Sequence, residues 1–389
     1  MKFLFDDESF SFEALRAAGY AAHGGADLGE VLVTCRQIPE GDEDAWAAQW
    51  AATAARVEGI GRAALAAGHR VSAREALLRA SNYYRVADFY LRTDGVHEAE
   101  SARLAKASQE TFADAAPLLD TPVRALEIPY EDTTLPAYLF LVDDSGAPRP
   151  TVVFHGGIDS TLEEYYVAIA VGALRRGYHV LAFDGPGQGA PLRRQGLHFR
   201  PDWEAVVTPA VDLALTLPEV DNDKIVLIGM SLGGYLAGRA AAFEHRIAAC
   251  VLYDGVYDLY EPVAAVAQRA ASTPGGLDAV IAQNTMARWV VRNSMWTFGK
   301  ASFEELAEAS KAYTMAGIAD RITCPTLVLD AENDVFFAGQ PQRVFDELTC
   351  EKELILFRED EGAGEHCQEG ALSLFSQRTF DWLDTVLAR

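Results

Sequence analysis

The fold of this 389-residue chain is decided by the stretch Ile225-Val226-Leu227-Ile228-Gly229-Met230-Ser231-Leu232-Gly233-Gly234. The four apolar residues at its start predict a buried strand, and the Ala-rich segment after it predicts a helix. Between them lies the pattern G-x-S-x-G, in which small residues on either side of the serine avoid a Cβ clash in a tight strand-to-helix turn. We therefore predict that Ser231 stands above a sheet as a nucleophile and that the backbone N–H of Leu232 donates to an oxyanion.

The composition limits the class of protein. The chain is half hydrophobic and carries 57 acidic against 33 basic residues, for a net charge of -24. Because the acidic residues are dispersed along the chain, we expect neither nucleic acid nor an anionic membrane as a partner. No apolar run is long enough to cross a bilayer, and the start of the chain becomes acidic too early for a secretory signal. Five scattered cysteines, an odd number, favour the reducing cytoplasm.

The chain divides into four parts by sequence texture. Residues 1–122 hold almost no strand-like runs and predict an N-terminal helical cap. Residues 123–258 and 319–389 alternate short apolar runs with helical stretches, which is typical of a mostly parallel, doubly wound α/β sheet. Residues 259–318 interrupt this alternation with helical material, including 279–291 and 303–313. Because ligands of open α/β sheets bind beyond the carboxyl ends of the strands, we predict that this insertion is a lid.

The helical part and the sheet are each predicted from specific segments. The first helical part has an apolar face with three- and four-residue spacing, made of Trp46, Trp50, Ala54, Val57, Ile60 and Ala64. Strands are predicted at 123–131, 137–142, 151–154, 180–183, 225–228, 248–253, 326–329 and 353–357.

An acid and a base follow two of the later strands. Asp334 comes shortly after the strand 326–329 and is the preferred acid, because a carboxylate there can fix the tautomer of a histidine. Asp330 and Glu332 compete with it as local turn residues, and Asp254 is a further alternative. His366 follows the last strand and is predicted as general base and acid. The order Ser231, Asp334, His366 is that of a hydrolase triad of the strand-turn-helix type.

A second oxyanion donor is expected from the loop after the strand 151–154. This loop reads His155-Gly156-Gly157-Ile158-Asp159, and the N–H of either Gly157 or Ile158 would pair with that of Leu232. The Gly-rich loop 184–189 lacks the lysine and hydroxyl residue of a phosphate-binding loop, so we interpret it as scaffolding. No His or Cys cluster has metal-ligand spacing, and neither a metal nor a cofactor is expected.

Longer motifs resemble those of one known group. They are HGGIDSTLEE at 155–164, DGPGQG at 184–189, the turn at Ser231, WTFG at 296–299 and GEHC at 364–367. Trp46, Trp50 and the stretch 79–85 look like that group's helical cap. Over nearly its whole length the chain resembles α/β-hydrolases of the 2,6-dihydroxypseudooxynicotine hydrolase group, which is related to fungal polyketide chain-shortening hydrolases and fermentation–respiration switch esterases.

This resemblance implies an α/β-hydrolase fold and hydrolysis of a carbon–carbon bond next to a carbonyl. The substrate would be a small 1,3-dicarbonyl or acyl-aromatic, polyketide-like molecule, cleaved through an acyl-enzyme, and a homodimer is expected. The group also places an acidic residue after the sixth core strand near the site, a role left open among Asp254, Asp258 and Glu261. Further candidate substrate contacts are His155, Tyr83, Arg85 and Trp296, and core packing or a solvated helix face is the competing interpretation for the last three.

Two other reaction classes remain open at this point. An esterase, lactonase or thioesterase would use the same triad, and oxygen or sulfur leaving groups are chemically easier. A non-hydrolytic cyclase or lyase would keep the pocket without the covalent step. Fold and triad alone do not separate these alternatives, because the same machinery hosts many reactions.

Overall fold

One eight-stranded sheet organises the chain, in a computed structural model that describes residues 1–92 and 97–388. The strands lie in the order β1-β2-β4-β3-β5-β6-β7-β8. β2 is antiparallel to β1 and β4, and the other neighbouring pairs are parallel. Their bounds are β1 Val123–Tyr130, β2 Thr133–Phe140, β3 Arg149–His155, β4 His179–Phe183, β5 Val220–Met230, β6 Ala249–Tyr253, β7 Thr326–Ala331 and β8 Lys352–Phe357. Each predicted strand is present, and the predicted doubly wound, mostly parallel sheet is confirmed.

Both faces of the sheet are covered, as its apolar strands require. Side chains of the central strands alternate between two buried layers, with Val153 and Leu227 in one and Val152 and Val226 in the other. Helices α8 (Glu204–Leu215) and α9 (Leu232–Ala241) pack on the first layer, and α6 (Val171–Leu174) and α15 (Leu372–Leu387) on the second. Two more helices, α7 (Gly189–Gln195) and α14 (Gln340–Glu347), follow β4 and β7.

The segment before the sheet is helical. It contains α1 (Glu8–Gly19), α2 (Leu28–Cys35), α3 (Glu43–Ala66), α4 (Arg70–Asp88) and α5 (Glu98–Ala115). Trp46, Trp50, Ala54 and Val57 of α3 are fully buried, as their spacing predicts. Ile60 is 48% exposed, because α3 turns Gly61 rather than Ile60 toward Leu77 of α4.

Four helices lie between β6 and β7. They are α10 (Tyr260–Ser272), α11 (Gly276–Gln283), α12 (Thr285–Thr297) and α13 (Phe303–Ser310). The helix predicted over 279–291 is therefore interrupted. The break falls at Asn284, whose side chain accepts from the N–H of Ala287 and caps α12.

Two further sequence expectations concern membranes and cysteines. Across residues 1–92 and 97–388, no helix combines the length and the apolar character that crossing a membrane requires. The five cysteines are all free thiols, four of them buried and Cys350 partly so.

The turn at Ser231 holds the strained backbone that its sequence predicts. Ser231 has φ 62° and ψ -128°, between the end of β5 and the start of α9. This turn is tight enough that a Cβ on Gly229 would lie 2.0 Å from the carbonyl oxygen of Gly233. A Cβ on Gly234 would lie equally close, at 2.0 Å, to the carbonyl oxygen of Asp254. The small residues thus let β5, α9 and β6 meet directly beneath the serine.

We expect Gly234→Ala to lower the free energy of unfolding by about 1–3 kcal/mol or more, because the added methyl meets rigid backbone. Gly59→Ala is the matched control, since Gly59 lies on the exposed side of α3 with no atom within 4 Å of the new Cβ. That control should raise stability by about 0.5–1 kcal/mol. Urea denaturation of both variants checks this, and equal effects would contradict the packing argument.

Candidate active site

Three strand ends bring the predicted nucleophile, base and acid into one hydrogen-bonded row. Ser231 Oγ lies 2.9 Å from Nε2 of His366, and Nδ1 of His366 lies 2.9 Å from Oδ2 of Asp334. Asp334 is held in turn, because its Oδ1 accepts from the N–H groups of Phe336 and Phe337 at 2.7 and 3.0 Å. The row has the connectivity needed for proton transfer from a serine to an imidazole whose tautomer a carboxylate fixes.

A second carboxylate also faces the histidine. Oδ2 of Asp254, at the end of β6, lies 3.1 Å from Nδ1 of His366. The same oxygen accepts from the backbone N–H of Cys367 at 3.0 Å and from its thiol at 2.9 Å. Both Asp254 and Cys367 have left-handed backbone, with φ 67° and 54°. Asp254, the alternative acid, and Asp334, the preferred acid, therefore both contact Nδ1 of His366.

These contacts shift the pKa values of all three groups. Burial lowers the pKa of His366, but the carboxylates of Asp334 and Asp254 outweigh burial and raise it to about 9. Burial acts to raise the pKa of Asp334, yet the charge and hydrogen bond of His366 leave that pKa below its ordinary value. Burial raises the pKa of Asp254 to about 6, with Asp334 adding to the rise. Asp334 is thus the more acidic partner of the imidazolium.

Hydrogen bonds to side chains hold both glycines of the loop after β3. The N–H of Gly156 donates to Tyr165 Oη and that of Gly157 to Ser160 Oγ. Nε2 of Gln188 donates to the carbonyl oxygens of both glycines. Gln188 belongs to the Gly-rich loop 184–189, so the loop 184–189 supports the loop after β3.

Two N–H groups beside Ser231 are left without a partner in the described part of the chain, those of Ile158 and Leu232. A Cβ on Gly157 would lie 3.0 Å from the nitrogen of Leu232, which shows how closely the two segments approach. Of the two alternatives left by the sequence, Gly157 already donates to Ser160, whereas Ile158 is free to donate to a substrate oxygen.

The row opens into a cavity of about 110 Å³ with mainly apolar walls. Helix α1 contributes Phe12, and α12 contributes Trp289, which stacks on Phe89 with ring centroids 4.5 Å apart. Phe336 packs edge-on against the imidazole of His366 at 4.9 Å. The N-terminal helices and the inserted helices therefore line the cavity together, opposite Ser231.

Seven candidate contacts lie outside this lining, among them Asp254 beside His366 and Arg85 beside Glu164. Tyr83 is buried among the N-terminal helices, where its hydroxyl donates to Glu30. Nε2 of His155 accepts from Trp203 beneath the loop. The remaining three occupy outer positions: Trp296 stacks with Arg193, Asp258 accepts from the first N–H groups of α10, and Glu261 pairs with Arg343.

Sequence reasoning missed one polar wall of the cavity. Glu13 and Arg16 of α1, Asp159 of the loop after β3, and Glu369 all line it. For Glu13 and Arg16 the signal was the spacing Ser9, Phe12, Glu13, Arg16, a single helix face that mixes apolar and charged residues.

One group could offer three metal-ligand atoms among the described residues: Asp254, His366 and Cys367, within 4.8 Å of one another. Their protons are already engaged, because Nδ1 of His366 lies against the two carboxylates and the thiol donates to Asp254. This geometry is that of a hydrogen-bonded network around the histidine.

The comparisons with known proteins agree with this architecture. A family model described as "Esterase FrsA-like" matches residues 37–273. The protein named Hydrolyase poxO of Penicillium oxalicum is 36% identical over 98% of both chains, and the 20-hydroxy-prefusarin hydrolase FUS2 of Gibberella moniliformis is 35% identical over 99% and 98%. The crystal structure of 2,6-dihydroxy-pseudo-oxynicotine hydrolase superposes with a TM-score of 0.77 at 26% identity over 95% of each chain. The chain is therefore an enzyme of the α/β-hydrolase fold and belongs to the FrsA-like esterase family.

Proposed function

We propose that this enzyme is a serine hydrolase that cleaves a carbon–carbon bond next to a carbonyl through an acyl-enzyme. Ser231 is the nucleophile, His366 the general base and acid, and Asp334 the carboxylate that fixes the imidazole. The observation that carries the proposal is the row Ser231–His366–Asp334, with 2.9 Å at each step, at the floor of an apolar cavity.

The first step is attack of Ser231 Oγ on the substrate carbonyl. The serine proton passes to Nε2 of His366, and the new oxyanion accepts from the N–H groups of Leu232 and Ile158. When the tetrahedral intermediate collapses, the carbon–carbon bond breaks and its electron pair leaves with the departing carbon. The imidazolium returns its proton to that carbon. Water activated by His366 then releases the acid and restores the serine.

A carbon leaving group restricts the substrate. The departing carbanion needs an adjacent carbonyl or a phenol ring to delocalise its charge, so we infer a 1,3-dicarbonyl or acyl-aromatic, polyketide-like small molecule. The names of two relatives support this class, since FUS2 is named for 20-hydroxy-prefusarin and the structural relative for 2,6-dihydroxy-pseudo-oxynicotine. In this proposal residues 1–122 act as cap and 259–318 as lid in a cytoplasmic enzyme, and the homodimer stays a prediction.

Specific observations favour two other candidates. The matching family model is described as an esterase family, and the same residues would release an alcohol or thiol without a carbanion. The name Hydrolyase given to poxO favours a lyase, in which Ser231 would form no covalent bond.

The choice among these candidates is tested by parallel assays of 4-nitrophenyl esters and of a 2-acylphenol or 1,3-diketone. We expect cleavage of the diketone to the acid and ketone, with loss of about 10⁴-fold or more of turnover in Ser231→Ala. Fast ester hydrolysis with an inert diketone would identify an esterase. Conversion that survives Ser231→Ala would identify the non-covalent class and contradict the acyl-enzyme.

The two carboxylates should differ in their effect on turnover. Asp334→Asn removes the partner that fixes the imidazole and should lower kcat about 10³–10⁴-fold at unchanged fold. Asp254→Asn keeps Asp334 in place and should lower kcat less than about tenfold. Steady-state kinetics at saturating substrate, with circular dichroism as the folding control, check the pair. The reverse ranking would make Asp254 the acid.

The pH dependence follows from the raised pKa of His366. The base acts only when it is unprotonated, so kcat/KM should rise with pH toward the pKa of about 9. Asp254→Asn removes a negative charge that stabilises the imidazolium, which should move the acid limb of the profile to lower pH. The pH profiles of wild type and Asp254→Asn are measured with the same ester or diketone. If the acid limb lies at the same pH in both, Asp254 does not act on His366 through its charge.

A further inference from the structure

One wall of the cavity is a buried cluster of charged groups centred on Arg16. Its guanidinium contacts the carboxyl oxygens of Glu164 and Asp159 at 2.5 Å, and those of Glu13 and Glu369 at 3.4 and 3.5 Å. All of these side chains are nearly inaccessible to solvent. The group joins α1 to the loop after β3 and to the segment that follows His366.

The charges in this cluster do not balance if every carboxyl group is ionised. Arg85, which lies 3.6 Å from Glu164, is the second guanidinium beside Arg16, and Arg92 and Arg193 both pair with Asp88. The pKa values of Asp159 and Glu164 are both lowered: burial acts to raise them, and the charge of Arg16 outweighs it. Among the described residues these four arginines face five carboxyl groups, namely Asp88 and the four around Arg16, and Glu13 and Glu369 are the two whose contacts with Arg16 are longest.

The remaining two carboxyl groups are the ones that take up protons. Burial raises the pKa of Glu13 to about 7 and that of Glu369 to about 8, against the opposing charge of Arg16. A protonated carboxyl group carries one O–H donor and keeps an acceptor oxygen. Near neutral pH these groups therefore offer both kinds of hydrogen bond.

Both residues have an unused oxygen atom. Oε2 of Glu13 and Oε2 of Glu369 are buried and have no hydrogen-bond partner within the described ranges. Both residues are at most 3% exposed and line the cavity that contains Ser231. A buried polar atom without a partner is unfavourable in a folded chain unless a ligand satisfies it.

We infer that Glu13 and Glu369 form a polar subsite that binds a neutral donor–acceptor group of the substrate, such as a carboxamide or hydroxyl. The rest of the substrate is apolar and fills the space between Phe12 and Trp289. This inference deepens the proposed function and rests on it, because it assigns to the same cavity a substrate with an apolar body and one uncharged polar end.

Charged ends fit the subsite less well. A carboxylate carries no donor, so it would leave the acceptor oxygens of Glu13 and Glu369 unused, and the N–H groups of Arg16 already face four carboxyl groups. An ammonium group would require Glu13 or Glu369 to lose its proton inside an apolar cavity before it could pair. Binding a carboxamide or a hydroxyl requires no change in the charge of Glu13 or Glu369.

The test measures binding, so it does not depend on the reaction. Calorimetry on the full-length Ser231→Ala protein compares three ligands with the same body: 5-phenylpentanamide, 5-phenylpentanoate and 5-phenylpentylammonium. At about pH 6.5 the amide should bind about tenfold more tightly than either ion. Glu13→Leu and Glu369→Leu should each weaken amide binding about threefold to tenfold, whereas Gly59→Ala, on the exposed side of α3 and outside the cavity, should leave it unchanged.

The glutamine variants provide a second measurement, because a glutamine side chain keeps a hydrogen-bond donor and an acceptor but cannot ionise. Glu13→Gln and Glu369→Gln should retain amide affinity within about threefold. At about pH 9 the wild-type subsite should lose amide affinity and gain ammonium affinity as its carboxyl groups ionise, and the double glutamine variant should do neither. The other groups facing the subsite, Tyr20, Tyr90, His366 and Cys367, are the same in both proteins and cancel in this comparison.

Three results would overturn the subsite. They are tighter binding of the ammonium ligand at about pH 6.5, equal amide affinity in the leucine variants, and no binding of any ligand. Failure of the proposed function would appear elsewhere, as absence of Ser231-dependent turnover in the wild-type assays.

Discussion

The buried guanidinium of Arg16 is the contact on which the geometry of this site depends. It connects α1 to Asp159, the residue that follows Ile158 in the loop after β3, and to Glu369, three residues beyond His366. Arg92, in the turn after α4, also donates to the carbonyl oxygen of Asp159, so two cations from the N-terminal segment hold that loop. Loss of one partner from such a buried group typically costs about 3–5 kcal/mol, because it leaves charges without compensation. The N-terminal helices are thus part of the site's framework as well as of its walls.

Strained backbone is concentrated where this framework meets the sheet. Ser231, Asp254 and Cys367 all have positive φ without being glycine, and they surround the imidazole of His366. Such conformations persist only where the surroundings over-determine them. Here the N–H of Ser231 donates to the carbonyl of Tyr253, and the side chain of Asp254 accepts from Cys367. Each strained residue is held by the neighbouring strand end, which keeps the serine, the histidine and the carboxylates in register.

The sequence was most predictive where local chemistry sets the structure. The turn at Ser231 requires small residues, and the apolar run before it indicates a buried strand, so both could be predicted from a short stretch of sequence. The preference for Ile158 over Gly157 could not, because it depends on Ser160 taking up one N–H group in three dimensions. The polar wall depends on pairing across 148 positions of sequence, from Arg16 to Glu164. Helix periodicity also failed at Ile60 and at Asn284, where packing and capping determine the outcome.

The leaving group determines how strongly the proposed reaction depends on proton transfer from His366. Activated esters such as 4-nitrophenyl esters release an anion that needs little help from an acid, whereas an alkoxide or a carbanion must be protonated as the bond breaks. In the proposed reaction the two carboxylates against Nδ1 would stabilise the imidazolium of His366 between attack and departure, and the rings of Phe336 and Phe12 pack near that imidazole. We therefore expect relatives that share Ser231 and Asp334 to differ in reaction mainly through the faces of α1 and α12, because those faces set the polarity of the cavity, whereas Asp254 adjusts the proton affinity of the base.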